Sequence, residues 1–397
     1  MDLRDTPEQA QFRTEVRGWI DANLPEDKRG GRGGAQRFDD PFMREWSRKL
    51  YEAGYVGLTW PKEYGGAGAP NSFQAILYEE LAAVQAPTHV GVIGLSMAGP
   101  TIIAHGTEEQ KARYLKPILA ADEIWCQGFS EPNAGSDLAN AQASAVRQGD
   151  HWIVNGHKVW TSLAHFASWM IMICRHSTAH KYDGLTYFIV PIANTKGVTV
   201  RPLIKITGET GFNEVLFEDV VVPDGLRVDA VGKGWTVAMT TLLHERGAAE
   251  GAGSGGGPSF EDELAALIRL ARRTRRNGKA AWDDGLVRDR IVQLVIRAEG
   301  LRHTARRMRV AALSEDPMRL PLQAKVLMTE LMQDIGACGV EIAGAGASRY
   351  LGDPAAPDGG HWPHAYMNSY GMTIAAGSNE IQRNILGERV LGLPKSK

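Results

Sequence analysis

Near residue 124 the hydrophobic period of this sequence switches from about 3.6 to about 2, and after Pro223 it switches back. Ahead of the switch, "TPEQAQFRTEVRGWIDANL" sets Phe12, Val16, Trp19 and Ile20 on one helical face, with Thr6 as N-cap and Pro7 at the first helical position. "PFMREWSRKLYEAG", "SFQAILYEELAAV" and "TEEQKARYLKPILA" continue the helical pattern, the last opening on a capping box of Thr107 and Gln110. Inside the switch, "HWIVNGHKVWTS", "SWMIMICR", "LTYFIVPI", "GVTVRPL" and "NEVLFEDVVVP" are short, β-branched and aromatic, and separated by Gly, Asn, Asp and Pro. Asn155-Gly156, between two alternating runs, predicts a hairpin turn. Strands at this spacing predict a small barrel or sandwich. Helices, then strands, then helices is not the alternation of a Rossmann domain. A chain of 397 residues is too long for one ordinary core. The changes of period place domains at 1–123, 124–228 and 229–397.

The same order decides the glycine run after "TTLLHERG". Gly251, Gly253 and Gly256 spell G-x-G-x-x-G, but the residues before them are helical in pattern and Pro258 intervenes before the next helix. A dinucleotide fingerprint needs a strand before it and a helix directly after it, and a P-loop needs a Gly-Lys-Ser/Thr ending. The run therefore reads as a connection. The next helix starts on Ser259 as N-cap, with Glu261, Asp262 and Glu263 in its first turn. "PEDKRGGRGGAQRFDD" is Arg-Gly-rich but has no aromatic platform for RNA bases, and reads as a solvated loop. A formal net charge of -2 gives no bulk attraction to nucleic acid. No apolar run reaches the roughly 18 residues of a membrane span, and the N-terminus lacks a signal-peptide pattern, so a cytoplasmic protein without integral membrane association is expected. Cys126, Cys174 and Cys338 are too few and too scattered for a disulfide framework. His176 and His180 lack an HExxH context, and no metal site is expected.

Two segments carry chemistry. "QGFSEPNAGSDLAN", Gln127 to Asn140, sets small residues beside hydroxyls and acids, and turns of this kind free backbone N–H groups that cradle anions. "NGHKVWTS" ends a strand on the flat ring of Trp160 and the hydroxyls of Thr161 and Ser162. By its size alone, Trp160 reads as a core residue. With "FNEVLFEDVVVP", "GKGW" and "AGSNEIQRNILGERVLGLP", these segments resemble the acyl-CoA dehydrogenase family, in order and over the whole chain. Asn140 departs from the small residue usual at its position. The resemblance implies an α+β, three-domain fold: an N-terminal helical domain, a central β-barrel-like domain and a C-terminal four-helix bundle. It implies FAD as cofactor, lined by Gln127, Phe129, Ser130, Gly135 and Ser136. Trp160 and Thr161 then lie against the flavin ring, and Ser162 reaches toward N5, where a hydroxyl donor stabilises the charge that arrives with the hydride. Ser378 and Glu380 fall at positions near the cofactor. Among the arginines of "LARRTRRNGK", Arg273 is the match for the family residue that reaches a neighbouring subunit's FAD pyrophosphate, although Asn277 replaces the usual aromatic before Gly278.

The implied reaction removes an α-proton and a β-hydride from an acyl-CoA, giving a trans-2-enoyl-CoA. It needs a positioned carboxylate. In many members that Glu lies just before the glycine of the C-terminal motif, but Ala375 and Ala376 precede Gly377 here. Isovaleryl-CoA and long-chain types carry it on another helix, immediately before an arginine. "LHERG" puts Glu245 there, before Arg246, and Glu245 is the expected base. Ser136, Leu243 and Arg246 are the expected substrate contacts. Gly247 and the glycines after it are expected to break this helix, either widening the acyl pocket for a bulky chain such as a sterol side chain or forming an insertion. The resemblance further implies an electron-transfer flavoprotein as acceptor. It implies either a homo-oligomer (dimer or tetramer) or a heterotetramer with a sister subunit. The competing readings are an oxidase or monooxygenase on the same fold, and a non-catalytic subunit.

Overall fold

Residues 4–29, 40–251, 259–307 and 319–395 are described in a computed structural model, with side chains for all of these except 246–251, 319 and 320. By its internal contacts the chain divides into two units, one built mainly from Thr6–Gly31 and Ala35–Ala252, the other from Gly253–Lys397.

In the first unit, Thr6 caps α1 (Pro7–Asn23) through a full capping box with Gln9, and Pro7 occupies the first turn. Val16 and Ile20 are buried, and Phe12 and Trp19 pack against the same core. Next come α2 (Pro41–Glu52), α3 (Asn71–Ala83), α4 (Gly99–His105) and α5 (Glu108–Leu119), the last opening on the expected Thr107–Gln110 box. Glu80 of α3 is buried and takes both Arg13 and Arg17 of α1, at 2.9 and 2.8 Å. Burial works against its charge, but the two guanidinium hydrogen bonds outweigh it and hold the carboxyl below its ordinary range.

The strands are β1 (Trp125–Gly128), β2 (Ser144–Gln148), β3 (His151–Ser162), β4 (Trp169–Arg175), β5 (Leu185–Pro191), β6 (Val198–Leu203), β7 (Phe212–Pro223) and β8 (Arg227–Val228). They form one sheet in the order β6-β7-β3-β2-β4-β5-β8, with β1 parallel to β4. A single pair, Ser144 with Arg175, joins β2 to β4, and at this seam the sheet folds over on itself. Trp152, Val154, Met170, Met172, Phe188 and Val215 fill the interior. The opposite faces of β4 and β5 carry Ile171, Ile173, Tyr187 and Ile189, which pack with the helices. Burial on both faces is why "WMIMICR" and "LTYFIVP" are continuous apolar runs.

The Asn155-Gly156 hairpin is not there. β3 runs straight through it with a bulge, and the turn lies one strand earlier, where Gln148 pairs with His151 around Gly149. Gly156 is required by proximity: a Cβ there would stand 2.5 Å from that of Ala143. Asn155 serves the bulge, its amide donating to Asp219 at 3.0 Å and its carbonyl oxygen accepting the Asp219 N–H at 2.8 Å. The Asn-Gly pair that does turn a hairpin is Asn277-Gly278, with φ of 50° and 80°, between β9 (Arg275–Arg276) and β10 (Lys279–Ala280). Arg275 and Arg276 therefore stand on a short hairpin. β1 was also hidden, since four residues are too few to show a period.

After β8, α6 (Gly234–Gly251) completes the first unit. Its backbone continues through Gly247, against the expected break, because glycine inside a helix costs only about 1 kcal/mol relative to Ala. The rest of the Gly-rich segment, 252–257, lies outside the described residues.

The second unit holds α7 (Phe260–Arg273), α8 (Gly285–Arg307), α9 (Arg319–Ala343), α10 (His361–Ile374) and α11 (Asn379–Ile385). α7, α8 and α10 all pack on α9. Trp362 of α10 is wholly buried against Gly339 of α9, where a Cβ would fall 1.9 Å from the indole. α7 starts on a Ser259–Asp262 capping box. Its buried Glu263 accepts from His361 Nε2 at 2.8 Å. That hydrogen bond raises the His361 pKa above its ordinary 6.5; burial opposes, and the charges of Glu263 and Asp358 assist. A raised folded value makes this a stabilising contribution that is complete below about pH 6.5 and is lost as the pH climbs through the folded value. The expected result is that the parent protein loses a few degrees more of melting temperature between pH 6 and pH 8 than Glu263→Gln does. Equal slopes for the two proteins would show that the pair carries no such linkage.

Candidate active site

Side chains alternate along β1. Cys126 points into the barrel core, and Trp125 points to the helical side, as does Gln127. α6 packs on that side through a buried stripe of Val237, Ala238 and Thr241. The Thr241 hydroxyl donates to the carbonyl of Val237 at 3.1 Å. Its single proton is then used, so the Tyr187 and Thr101 hydroxyls, each 2.9 Å away, donate to it. This knot fixes α6 to β5 and α4. Burial pushes the Tyr187 hydroxyl pKa up, and the nearby charge of Glu245 adds to the shift.

One helical turn beyond Thr241 the stripe ends on Glu245, half-buried. The Gln127 amide donates to Glu245 Oε2 at 3.4 Å. Phe129, also buried, meets the Tyr187 ring edge-on at 5.9 Å.

The turn after Phe129 is held from beneath. Lys158 of β3 is completely buried and donates to Glu131 Oε1 at 2.7 Å, to the carbonyl of Ile173 at 2.9 Å and to that of Phe129 at 3.2 Å. The Glu131 carboxylate also accepts the backbone N–H groups of Gln142 and Ala143, at 2.7 and 2.9 Å. The Ser130 carbonyl takes the N–H of Val159 at 2.9 Å. Arg175 then secures the far side of the segment through the carbonyls of Ala139 and Ala141, at 2.7 and 2.8 Å. Ser130 is half-buried, and Gly135 and Ser136 are exposed at the surface of this turn. A Cβ on Gly135 would meet nothing within 4 Å.

Sequence reasoning passed over Lys158, Glu131 and Arg175. A signal existed for the first: Lys158 has the inward parity of Trp152 and Val154. A lysine at an inward strand position requires a buried partner.

The parity breaks immediately afterwards. Trp160 adopts a φ of 59°, and the register on β7 shifts between Lys158 and Thr161. The indole is turned outward, 58% exposed, with the edge of Phe212 beside it at 5.9 Å. Trp160 is thus not a core residue. Thr161 is turned inward and fully buried, and its hydroxyl has no hydrogen-bond partner among the described residues. Ser162 follows, half-buried, paired with Phe212. An outward ring, a buried hydroxyl without a partner and open space at Gly135 suit a large planar ligand with polar edges. Leu243 is 40% exposed, and the side chain of Arg246 lies outside those described.

Three of the expected residues belong to the second unit. Arg273 ends α7 and is ion-paired with Asp358. Ser378 caps α11 through the N–H of Ile381, and Glu380 lies in its first turn. Its own backbone N–H and the Ser378 hydroxyl hold the Glu380 carboxyl low. The turn before this helix, Ala376-Gly377, has left-handed φ of 55° and 83°. It is clamped by Lys325, which donates to the Gly377 carbonyl at 2.9 Å and to Asn379 Oδ1 at 2.7 Å. Gln382 donates to the Ala376 carbonyl at 2.6 Å.

Comparison with known proteins agrees with this anatomy. Family models match in succession: acyl-CoA dehydrogenase N-terminal domain over 6–122, middle domain over 126–220 and C-terminal domain over 232–391. The chain is 39% identical to acyl-CoA dehydrogenase IpdE1 of Mycobacterium tuberculosis, over 97% of this chain and 98% of that one. It is 40% identical, over the same shares, to IpdE1 of Mycolicibacterium smegmatis. Among solved structures, the steroid ACAD Tcur3481-Tcur3483 superposes with a TM-score of 0.82 at 30% identity, covering 100% of both chains. The ChsE4-ChsE5 complex of M. tuberculosis gives the same TM-score, identity and coverage. Among the described residues, no helix is long and apolar enough to cross a membrane.

Proposed function

We propose that this chain, which belongs to the acyl-CoA dehydrogenase family, uses Glu245 to abstract the α-proton of a steroid-derived acyl-CoA thioester. The observation that carries the reading is the placement of Glu245. It ends the buried stripe of α6 within hydrogen-bonding distance of Gln127, on the strand that leads into the Ser130–Ser136 turn. FAD, the family's cofactor, would supply the hydride acceptor for the β-carbon. The residues that would hold it are Gln127, Phe129, Ser130, Gly135 and Ser136 of the turn and the strand before it, and Trp160, Thr161 and Ser162 at the end of β3. The buried Thr161 hydroxyl and the outward Trp160 ring fit such a group. The α-proton of a thioester is weakly acidic, and Glu245 supplies the base. The Thr241–Tyr187–Thr101 knot keeps α6, and with it the carboxylate, from shifting. Ser136, Leu243 and Arg246 are the proposed substrate contacts; Ser378 and Glu380 are proposed as further cofactor residues, and Arg273 as a contact to the FAD pyrophosphate of a neighbouring subunit.

The steroid assignment rests on the solved relative described as a steroid ACAD. It is tested by anaerobic bleaching of the purified flavoprotein against a panel of acyl-CoA thioesters, straight-chain, branched and steroid-derived. Fastest bleaching by a straight-chain member would overturn it. The proposed acceptor is an electron-transfer flavoprotein; rapid oxygen consumption with peroxide release after bleaching would point to an oxidase instead. A heteromer is a second reading, because both solved relatives are described as pairs of differently named proteins. Purification with a similar-sized sister chain in equal amount supports it, and a fully active homo-oligomer rejects it.

Trp160→Ala tests the cofactor contact. A stacked aromatic contributes on the order of 1 kcal/mol beyond its buried area, so FAD retention should fall at least several-fold. Equilibrium dialysis of FAD against the parent and the variant measures it, and equal affinities would remove Trp160 from the cofactor site.

A further inference from the structure

We infer that Asn213 is a positioning residue for the cofactor contact: its buried amide holds the β3 bulge that turns the Trp160 ring outward. The inference rests on Trp160 lying against FAD. Lys158 has the inward parity of Trp152 and Val154, and by simple alternation Trp160 would share it. The register prevents this. Lys158 pairs with Val215 and Thr161 with Asn213, so Val159 and Trp160 together stand opposite the single residue Glu214. A left-handed residue in a bulge of this kind is normally glycine, which adopts that conformation without steric cost. Here it is a tryptophan, with a φ of 59°.

A bulky residue keeps a left-handed conformation only where the chain is held on both sides of it. On the near side, the Val159 N–H donates to the Ser130 carbonyl at 2.9 Å. On the far side, Asn213 Nδ2 donates to the Thr161 carbonyl at 3.0 Å. Asn213 is itself well placed to be rigid: it is 1% exposed, and its Nδ2 also meets Nδ1 of His165 at 3.0 Å. An amide nitrogen carries two protons, so both contacts are made at once. Its neighbour on β7, Phe212, meets the indole edge-on at 5.9 Å and pairs with Ser162. A one-residue slip at this bulge would exchange the faces of Trp160, Thr161 and Ser162 together. By holding the Thr161 carbonyl, Asn213 decides which face the ring occupies.

The test is Asn213→Leu, which keeps the number of side-chain heavy atoms and removes the donor, with Asn213→Ala as a second variant that adds no bulk. Both are made in the parent and in a Trp160→Gly background, because glycine adopts the left-handed conformation unaided. FAD release from the loaded proteins is followed after dilution by the recovery of flavin fluorescence. The expected result is release about tenfold faster from Asn213→Leu than from the parent, the scale of a lost ring contact. In the Trp160→Gly background the same change should alter release by less than about twofold, because the two residues act as one unit. The absorption band of the bound flavin in Asn213→Leu should also move toward its position in Trp160→Gly. A residue that serves only the stability of the fold speeds release equally in both backgrounds and leaves the band in place, and that result overturns the positioning role. Parent-like release from both Asn213 variants overturns it as well. If Trp160→Gly itself releases FAD at the parent rate with an unmoved band, the cofactor contact fails, and the positioning role fails with it for that separate reason.

Discussion

Glu245→Gln is expected to slow substrate-driven flavin reduction by about 10²- to 10⁴-fold while the protein stays folded and yellow. Gln keeps the size and shape of Glu and can still meet Gln127, so nothing in the buried stripe of α6 is disturbed. What is lost is the proton acceptor. At 1.36 kcal/mol per decade the loss is roughly 3–5 kcal/mol of transition-state stabilisation. The competing reading makes Glu245 a half-exposed carboxylate that decorates the helix surface, and contacts of that kind are worth about 0–1 kcal/mol. The two readings thus differ by at least a decade in rate. Single-turnover, stopped-flow reduction under anaerobic conditions measures the step directly. A variant within a few-fold of the parent would remove Glu245 from the chemistry.

Glu245 could be named as a candidate from the sequence because the whole-chain resemblance supplied a register. The acid missing at Ala376 then left one family position to fill. The helices were legible from their caps: Thr6, Thr107 and Ser259 each perform the predicted function. The long strands were legible from composition. What failed has a common cause. Asn155-Gly156 carries a strong local turn signal, yet its glycine answers to Ala143, a residue on another segment of the sheet. Trp160 reads as core by size, yet a left-handed φ at that one residue turns it to the surface. Gly247 reads as a helix breaker, yet the helix passes through it. In each case the local preference amounts to about 1 kcal/mol, and tertiary packing outweighs it. The Gln127–Glu245 contact was illegible for a different reason. The residues lie 118 positions apart, and the parallel pairing of β1 with β4 together with the packing of α6 on β5 and α4 brings them together.

Lys158→Met is expected to be the most destabilising single change near the site, because it removes the cation from a buried pair and leaves Glu131 behind. Breaking such a pair from one side costs about 3–5 kcal/mol, most of it from the uncompensated charge that remains. Glu131 is 8% exposed and Lys158 not at all, so water cannot take over the lost role. Two backbone N–H groups, of Gln142 and Ala143, still reach the carboxylate, which places the cost toward the lower end of that range. The carbonyls of Phe129 and Ile173 lose a donor at the same time. Phe129 leads directly into the Ser130–Ser136 turn, so the damage is expected to spread to the cofactor: FAD should be released at a lower temperature than in the parent, ahead of global unfolding. The double change Lys158→Met with Glu131→Gln separates charge from packing. If the stranded charge dominates, the double variant is more stable than Lys158→Met alone, even though it carries one more substitution. If instead the amine matters through its carbonyl contacts, the second change adds further loss. Thermal melts followed in parallel by flavin fluorescence and far-UV circular dichroism distinguish these outcomes. A Lys158→Met protein that melts and releases FAD with the parent would show that the turn is held by its backbone alone.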